Sequence, residues 1–376
     1  MQLKQSWVVV ILCATMGCEG NYGGNAEGRT EICGDSHWYG SESPQITEVD
    51  VAREDGITIA FVGDVMLGRS FNDHFAADPA FNPWRALELS LADVDVFAMN
   101  LETTITDWDE PWPEKAYNFR LSPQYRDRAL RSLPTPAQSL HYASLANNHI
   151  LDFERQGLLD TLDNLDALDF VHAGAGRTSD EAQAPTIVET TSGFRVGFLA
   201  GADHCGCNDV CAWNAKAAQS GMWYVNTADA ARSAALDAVR RVRDSVDVLV
   251  FSLHWGPNWV DGGPPDWMQN FARALVEAGV DVIHGHSSHH VLPVETIAGK
   301  HVFYGLGDFI NDYRVFPDFN SNLGFIAKLH IDPSGEQSLE VLPTRIGHDG
   351  TDFVEALDTS DRDYELVREM AGFGSE

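Results

Sequence analysis

Ile57-Thr58-Ile59-Ala60-Phe61-Val62-Gly63-Asp64 decides the fold class. Six β-favouring apolar or β-branched residues run without polar alternation and stop at Gly-Asp. A run of this kind reads as a strand buried on both faces. The same design recurs along the chain. Val94 to Met99 ends in Asn100-Leu101-Glu102, and Ala143 to Ala146 ends in Asn147-Asn148-His149. Phe194 to Ala200 is another apolar run. Val246 to Leu253 ends in His254-Trp255-Gly256, and Val280 to Ile283 ends in His284-Gly285-His286.

Helical patterns separate these runs. Leu158, Leu159, Leu162, Leu165 and Leu168 recur at helical spacing within Glu154 to Leu168. Ala228 to Arg243 is alanine-rich and ends in Arg240, Arg241 and Arg243, charges that suit a helix C-terminus. Pro265-Asp266 opens a helix over Trp267 to Glu277, with Gly279 just beyond its end. Alternation of strand and helix predicts an α/β fold. From Val291 to Ile346 the runs shorten around Ala298-Gly299-Lys300 and Pro333-Ser334-Gly335, which predicts antiparallel hairpins flanking the main sheet. With no linker after residue 56, residues 56–376 are expected to form a single large domain.

The chain of 376 residues carries 56 acidic and 25 basic side chains, a formal net charge of −31. Nucleic-acid binding depends on Lys and Arg neutralising phosphates, so this surface argues against it. It argues equally against charge-driven docking on anionic lipid. An anionic substrate would need a local source of positive charge, and a bound metal supplies one.

The start reads as an export signal. Lys4 precedes the apolar run Trp7 to Ala14, which is too short to span a bilayer and matches a signal-peptide core. Gly17-Cys18 after it resembles a lipoprotein cleavage site, with Thr15 where that pattern prefers Leu. The expectation is a signal peptide at 1–17, lipidation of Cys18 and a flexible tether over 18–55. The product is then an exported lipoprotein anchored to the envelope membrane by its lipid, the alternative being a secreted protein. Cys33, Cys205, Cys207 and Cys211 favour disulfides in an oxidising compartment. Zinc held by the 205–211 segment beside His204 is the other reading, although its spacing is not a standard structural-zinc pattern.

Five strand-like runs end in side chains that bind metals: Asp64, Glu102, Asn148 with His149, His254, and the His286/His289/His290 group. Ligands in open α/β sheets bind at the carboxyl ends of strands, so residues scattered along the chain can converge there. Taken singly, an Asp after a strand is a turn or helix cap, and a lone His is a core residue. Five coincidences at equivalent places point to one shared site. Carboxylate, amide and imidazole without thiolate suit Mn, Fe or Zn. The set exceeds one four-coordinate ion and suffices for two bridged ions, which would keep a net positive charge and could hold a phosphate or carboxylate. Paired ions activate water and stabilise attacking and leaving oxygens in phosphoryl chemistry.

Gly63-Asp64-Val65-Met66-Leu67-Gly68-Arg69, Asn100-Leu101-Glu102, Leu145-Ala146-Asn147-Asn148-His149, His254-Trp255-Gly256-Pro257-Asn258 and His284-Gly285-His286-Ser287-Ser288-His289-His290 stand in the order of the CapA family, and Tyr304 to Tyr313 extends the match. The sequence is therefore identified as resembling CapA proteins, which are linked to poly-γ-glutamate capsule synthesis and are similar to calcineurin-like metallophosphoesterases. That resemblance implies a four-layer α-β-β-α sandwich with mixed sheets and two divalent ions. It implies Asp64 as the bridging or first-metal carboxylate and Glu102 at the place of a bridging Asp. Asn148, His254, His286 and His289 complete the metals, with His290 as the alternative to His289. His149 is implied as the general acid, oriented by Asp152. Lys115 and Arg120, in a basic and aromatic segment, are candidate substrate-anion contacts. Asp308, Asn311 and Asp312 are candidate supports of the ligands. Trp255, Trp259 and Trp267 line a pocket or pack in the core, with packing expected for two of the three.

The first motif departs from the superfamily pattern Asp-x-His: Met66 stands where a histidine ligand is usual, which implies that one ion binds weakly or not at all. Gly174-Ala175-Gly176 lacks dinucleotide-motif spacing. The implied function is a metal-dependent phosphoesterase-like hydrolase of capsule production. Its partners would be an anionic substrate or poly-γ-glutamate and other capsule-synthesis proteins. The alternatives are a metal-dependent binding or anchoring factor for a carboxylate-rich polymer and a γ-glutamyl amide hydrolase or transferase.

Overall fold

The computed structural model describes residues 45–49, 56–113, 115–205, 212–225, 229–259, 261–347 and 352–374. Residues 1–17, Cys18, Cys33, Cys207 and Cys211 lie outside the described residues, and with them the signal and the lipidation site.

The fold is mixed α/β with two large mixed sheets. The first is built on the opening sequence. Strand Ile57–Val65 lies parallel to Val96–Leu101, which continues in parallel to Leu140–Ser144 and Val171–Ala173. On its other side Leu323–Ile331 runs antiparallel, followed by Gln337–Gly347 and Phe353–Ala356. The short strand Asp308–Ile310 adds in parallel to the end of Ile57–Val65. The second sheet centres on parallel strands Arg195–Ala202, Val248–His254, Val282–His286 and Lys300–Phe303. Val294–Ile297 closes one edge as an antiparallel hairpin with Lys300–Phe303. Both hairpins turn at the expected segments, around Gly299 and Gly335.

At the other edge Thr186–Thr190 pairs with Gln45–Val49 in parallel. Those five residues fall within the stretch read as a tether. They alternate as Gln-Ile-Thr-Glu-Val, too short a run to stand out beside its polar surroundings. Edge pairing with a strand more than a hundred residues away supplies what local sequence does not.

Side-chain parity in the second sheet positions the chemistry. Leu249, Phe251, Leu253 and Ile283 pack on one face against Ala235, Val239 and Val242 of helix Asp229–Arg243 and Met268, Phe271 and Leu275 of helix Asp266–Ala278. Val248, Val250 and Val282 point to the opposite face and join the apolar core of the first sheet. Successive strand residues alternate faces. His254, His284 and His286 therefore share the face of Val250 and Val282, towards the first sheet. Contacts between the sheets follow: the Phe61 ring lies 5.2 Å from His284 and 5.7 Å from Phe303, and Tyr142 stacks on Phe198 at 4.2 Å. Helix Glu154–Asp166 buries Leu158, Leu162 and Leu165 against the first sheet's core. No helix among the described residues is long and apolar enough to cross a membrane.

Candidate metal centre

Strand ends deliver the site residues. Asp64 sits at the end of Ile57–Val65 after a register shift that begins at Phe61. Its neighbour Gly63 is required: a Cβ there would stand 1.8 Å from the carbonyl oxygen of Gly307. Without that Cβ, the 307–310 segment closes in. Met66 N–H donates to the Ile310 carbonyl at 2.9 Å, and Asp308 falls into register beside Asp64. His254 and His286 are paired neighbours across two parallel strands, so their rings lie side by side, 5.1 Å apart. Glu102 follows the end of Val96–Leu101. Ser287 (φ 99°) and His289 (φ 56°) hold left-handed backbone conformations that non-glycine residues rarely adopt. Such strain persists only where its surroundings fix it. Here Ser287 N–H donates to Asp64 Oδ2 at 3.3 Å, and the His289 ring is stacked under Trp259 at 5.1 Å.

Two donor groups result among the described residues, and they share one carboxylate. Asp64, His254 and His286 bring one ligand atom each within 4.8 Å of one another, as do Asp64, Glu102 and His289. Asp64 and Glu102 are buried, as are all three histidines. Glu102 Oε1, Asn148 Oδ1, His254 Nε2 and His286 Nε2 are buried with no hydrogen-bond partner. Each atom so stranded costs about 1–3 kcal/mol. Divalent cations at the two donor groups would answer the Glu102 and histidine atoms, and oxygen with imidazole nitrogen is a donor set that suits Mn, Fe or Zn. The residues present fit the metals that the resemblance implies. His289 also fills the second group despite Met66 standing in place of the first-motif histidine.

Electrostatics point the same way. Burial would raise the Asp64 carboxyl, but the hydrogen bond and charge of His289, with His286 and Asn100 adding, outweigh it and hold Asp64 at about 2. Burial and the neighbouring Asp64 carboxylate push Glu102 well above the usual carboxylate range. Burial drives His254 and His286 well below the ordinary histidine value, so both offer lone pairs. His289 is raised well above it: burial acts downward, and the Asp308 carboxylate at 2.7 Å overrides it. Without a cation, His289 supplies the positive charge beside Asp64, while His254 and His286 stay neutral with lone pairs available to a metal.

Support comes from Asn100 and Asn147, which the sequence reading quoted without a role, and from Asp308 and Asn311, which it named as candidate supports. Asn100 Nδ2 donates to Asp64 Oδ1 at 2.7 Å and to Glu102 Oε2 at 3.2 Å, while its Oδ1 accepts from Asn147 at 3.0 Å. Asp308 binds His289 and accepts from Asn311. Asp312 serves a different place, bonding Arg69 at 3.3 Å and the Ser70 N–H at 3.1 Å. His290 is held by the Ser288 carbonyl at 2.6 Å and joins neither donor group, so His289 is the histidine that the fold brings to the cage. Trp255 stacks on Tyr304 within the core, Trp267 packs against that core, and Trp259 covers His289.

Beside the cage stands a second unit. His149 Nδ1 lies 2.7 Å from Asp152 Oδ2, and its Nε2 is 3.8 Å from Glu102 Oε1. Lys115 was expected to meet a substrate anion. Its side chain is fully buried: Nζ donates to the Asn148 carbonyl at 2.6 Å, pairs with Asp152 and lies 2.9 Å from His149 Nδ1. A buried ammonium is tolerated only when paired, and the buried Asp152 is its partner. Lys115 therefore fixes the carboxylate that orients His149. Burial lowers His149 to about 4; Asp152 opposes the shift and Lys115 adds to it. The neutral ring has Nδ1 beside Asp152 and Nε2 towards the cage. Arg120 also departs from expectation: it donates to the Trp108 carbonyl at 2.8 Å and lies over Phe153, and neither belongs to the cage.

On the outer side, His204 packs 5.0 Å from His254 and bonds Asp203 at 2.5 Å. Cys205 is disulfide-bonded, with its partner cysteine outside the described residues. A zinc site using its thiolate is thereby excluded.

Residues 58–313 match the model of the family described as bacterial capsule synthesis protein PGA_cap. The chain belongs to this family. The matched span contains both donor groups and the His149 unit. Among curated relatives, a probable polyglutamine synthesis accessory protein of Mycobacterium tuberculosis is 36% identical over 262 residues. That match covers 67% of this chain but only 66% of the relative, just under two thirds of its length. The PGA biosynthesis protein CapA of Bacillus subtilis is 26% identical over 317 residues, 84% of this chain and 77% of the relative. The capsule biosynthesis protein CapA of Bacillus anthracis is 25% identical over 298 residues, 77% and 67% respectively.

Replacing Asn100 with Asp exchanges the donor between Asp64 and Glu102 for a third carboxylate. Urea denaturation should show a loss of about 1–3 kcal/mol in EDTA, and Mn²⁺ should recover most of it. An unchanged midpoint in EDTA would mean that Asn100 does not hold the carboxylates apart.

Proposed function

We propose that this protein is a metal-dependent, phosphoesterase-like hydrolase that acts in the production of a poly-γ-glutamate capsule. The observation that carries this reading is the pair of donor groups sharing Asp64, with the His149–Asp152–Lys115 unit against them. Ions held there would supply Lewis acidity and an activated water. The chain's own residues do the rest. Asp64, Glu102, Asn148, His254, His286 and His289 are assigned as ligands of two divalent ions. Asp152 keeps the His149 proton at Nδ1, and Nε2, facing Glu102, takes or delivers the proton of the reacting group. Lys115 holds Asp152 so that this orientation survives each turnover. The buried surroundings keep bulk water from the ligands.

The names of the relatives, polyglutamine synthesis accessory protein and CapA, support the capsule context. In this reading the two sheets form the inner layers of a four-layer sandwich and the helices its outer layers. Residues 1–17 direct export, Cys18 carries the lipid, and the acidic exterior keeps released polyanion from adhering by like-charge repulsion. A metal-dependent polymer-binding factor is the second reading: a cage of this kind can hold carboxylate groups without turning them over.

General acid–base catalysis contributes about 10²–10⁴ in rate. For Mn²⁺-loaded protein assayed on phosphomonoesters, phosphodiesters and γ-glutamyl peptides, His149→Gln should lower kcat by at least about 100-fold with metal content unchanged. Absence of product from every substrate, in protein holding its full metal, would overturn the hydrolase and favour the binding factor. For the anchor, Cys18→Ser should move the chain from the membrane fraction to the soluble exported fraction. Retention in the membrane fraction would contradict lipidation at that position.

A further inference from the structure

We infer that Arg69 forms an oxyanion-binding subsite at the rim of the metal cage. It would contact a phosphate or carboxylate group of the substrate while the cage holds the reacting bond. The inference rests on the hydrolase reading for its substrate and on Arg69's own surroundings for its place.

Four observations converge on this residue. Arg69 adopts φ 54°, a left-handed conformation that a long side chain occupies at a cost, directly before helix Ser70–Ala77. Asp312 pins the guanidinium through Nε at 3.3 Å. Nη1 and Nη2 carry no hydrogen bond to any described residue, and the side chain is 37% exposed. The guanidinium carbon stands 5.2 Å from the ring centroid of Phe119 and 5.7 Å from that of Tyr313. Those rings are the walls of the site: Phe119 meets His149 edge-on at 4.6 Å, and Tyr313 meets His289 at 5.8 Å. One aromatic layer thus separates a half-free guanidinium from both the proton-transfer histidine and a cage histidine.

The other candidates lie differently. Lys115 is consumed by Asp152, and the Arg120 guanidinium is turned to the Trp108 carbonyl and Phe153, with no contact to the ring walls of His149 and His289 among the described residues. In a chain of net charge −31, Arg69 is, among the described residues, the arginine that lies over both Phe119 and Tyr313, with two terminal nitrogens to spare. A guanidinium held at Nε presents its two terminal nitrogens as a fork, the geometry that recognises carboxylate or phosphate oxygens two at a time.

The test uses calorimetry on full-length Mn²⁺-loaded protein with two probes, inorganic phosphate and a γ-glutamyl tripeptide. Metal content and melting temperature are recorded for each variant. Hydrogen bonds from a charged donor predict that Arg69→Gln weakens the recognised probe by about tenfold or more. Arg69→Lys should recover only part of that affinity. Arg69→Gly relieves the backbone and should melt no lower than wild type while binding as weakly as Arg69→Gln. Which probe loses affinity tells phosphate from carboxylate recognition. Equal affinity of wild type and Arg69→Gln for both probes overturns the subsite. So does a wild-type protein that holds metal yet binds neither probe, an outcome that leaves the cage standing. A chain that takes up no metal overturns the cage instead, and the subsite then stands or falls on the same affinity ratio measured in EDTA.

Discussion

The site depends on keeping one carboxylate, Asp64, charged where almost no water reaches it. Taking such a charge out of water costs several kcal/mol unless neighbours replace the lost hydration. Asn100 and the Ser287 N–H supply hydrogen bonds, and His289 supplies opposite charge. Each donor requires something else of the fold. Asn100 is held by Asn147, Ser287 needs a left-handed turn after Val282–His286, and His289 needs Asp308. Asp308 in turn reaches its place because Gly63 lets Gly307 approach. Two sheets, two loops and two glycines are therefore committed to one ionised oxygen pair, and both donor groups inherit that commitment.

Much of the fold could be read from the chain because its central strands are buried on both faces. Such strands leave long apolar runs with abrupt polar ends. The run 57–62 became Ile57–Val65, 246–253 became Val248–His254, and the leucine-spaced segment became Glu154–Asp166. Edges were harder. Gln45–Val49 is short, half polar and defined by a partner far along the chain, so periodicity has nothing to grip. Helices Ser70–Ala77 and Arg362–Met370 are short and carry few buried residues.

The site was legible in its ligand types and in part of its supports: Asp152, Asp308 and Asn311 were named from the sequence, Asn100 and the true place of Lys115 were not. Aspartate, glutamate and histidine at strand ends announce chemistry by position. The sign and burial of Lys115 do not: a lysine near a motif looks like an anion contact, and only the fold shows it neutralising Asp152. His289 and His290 are indistinguishable by spacing, and the turn after His286 separates them. Arg69 stood in a quoted motif without a role, since neither its backbone strain nor its free nitrogens leave a trace in sequence. The charge of −31 acquires a local meaning here. Arg69 stands at the edge of a buried acidic and imidazole cluster within this acidic chain.

The most direct test of this account is metal stoichiometry by elemental analysis of purified protein, wild type against Asp64→Asn and Glu102→Gln. A shared carboxylate predicts two divalent ions per chain in wild type, loss of both in Asp64→Asn, and loss of one in Glu102→Gln. Full metal content in Asp64→Asn, or no metal in wild type under Mn²⁺, Fe²⁺ or Zn²⁺ loading, would contradict it.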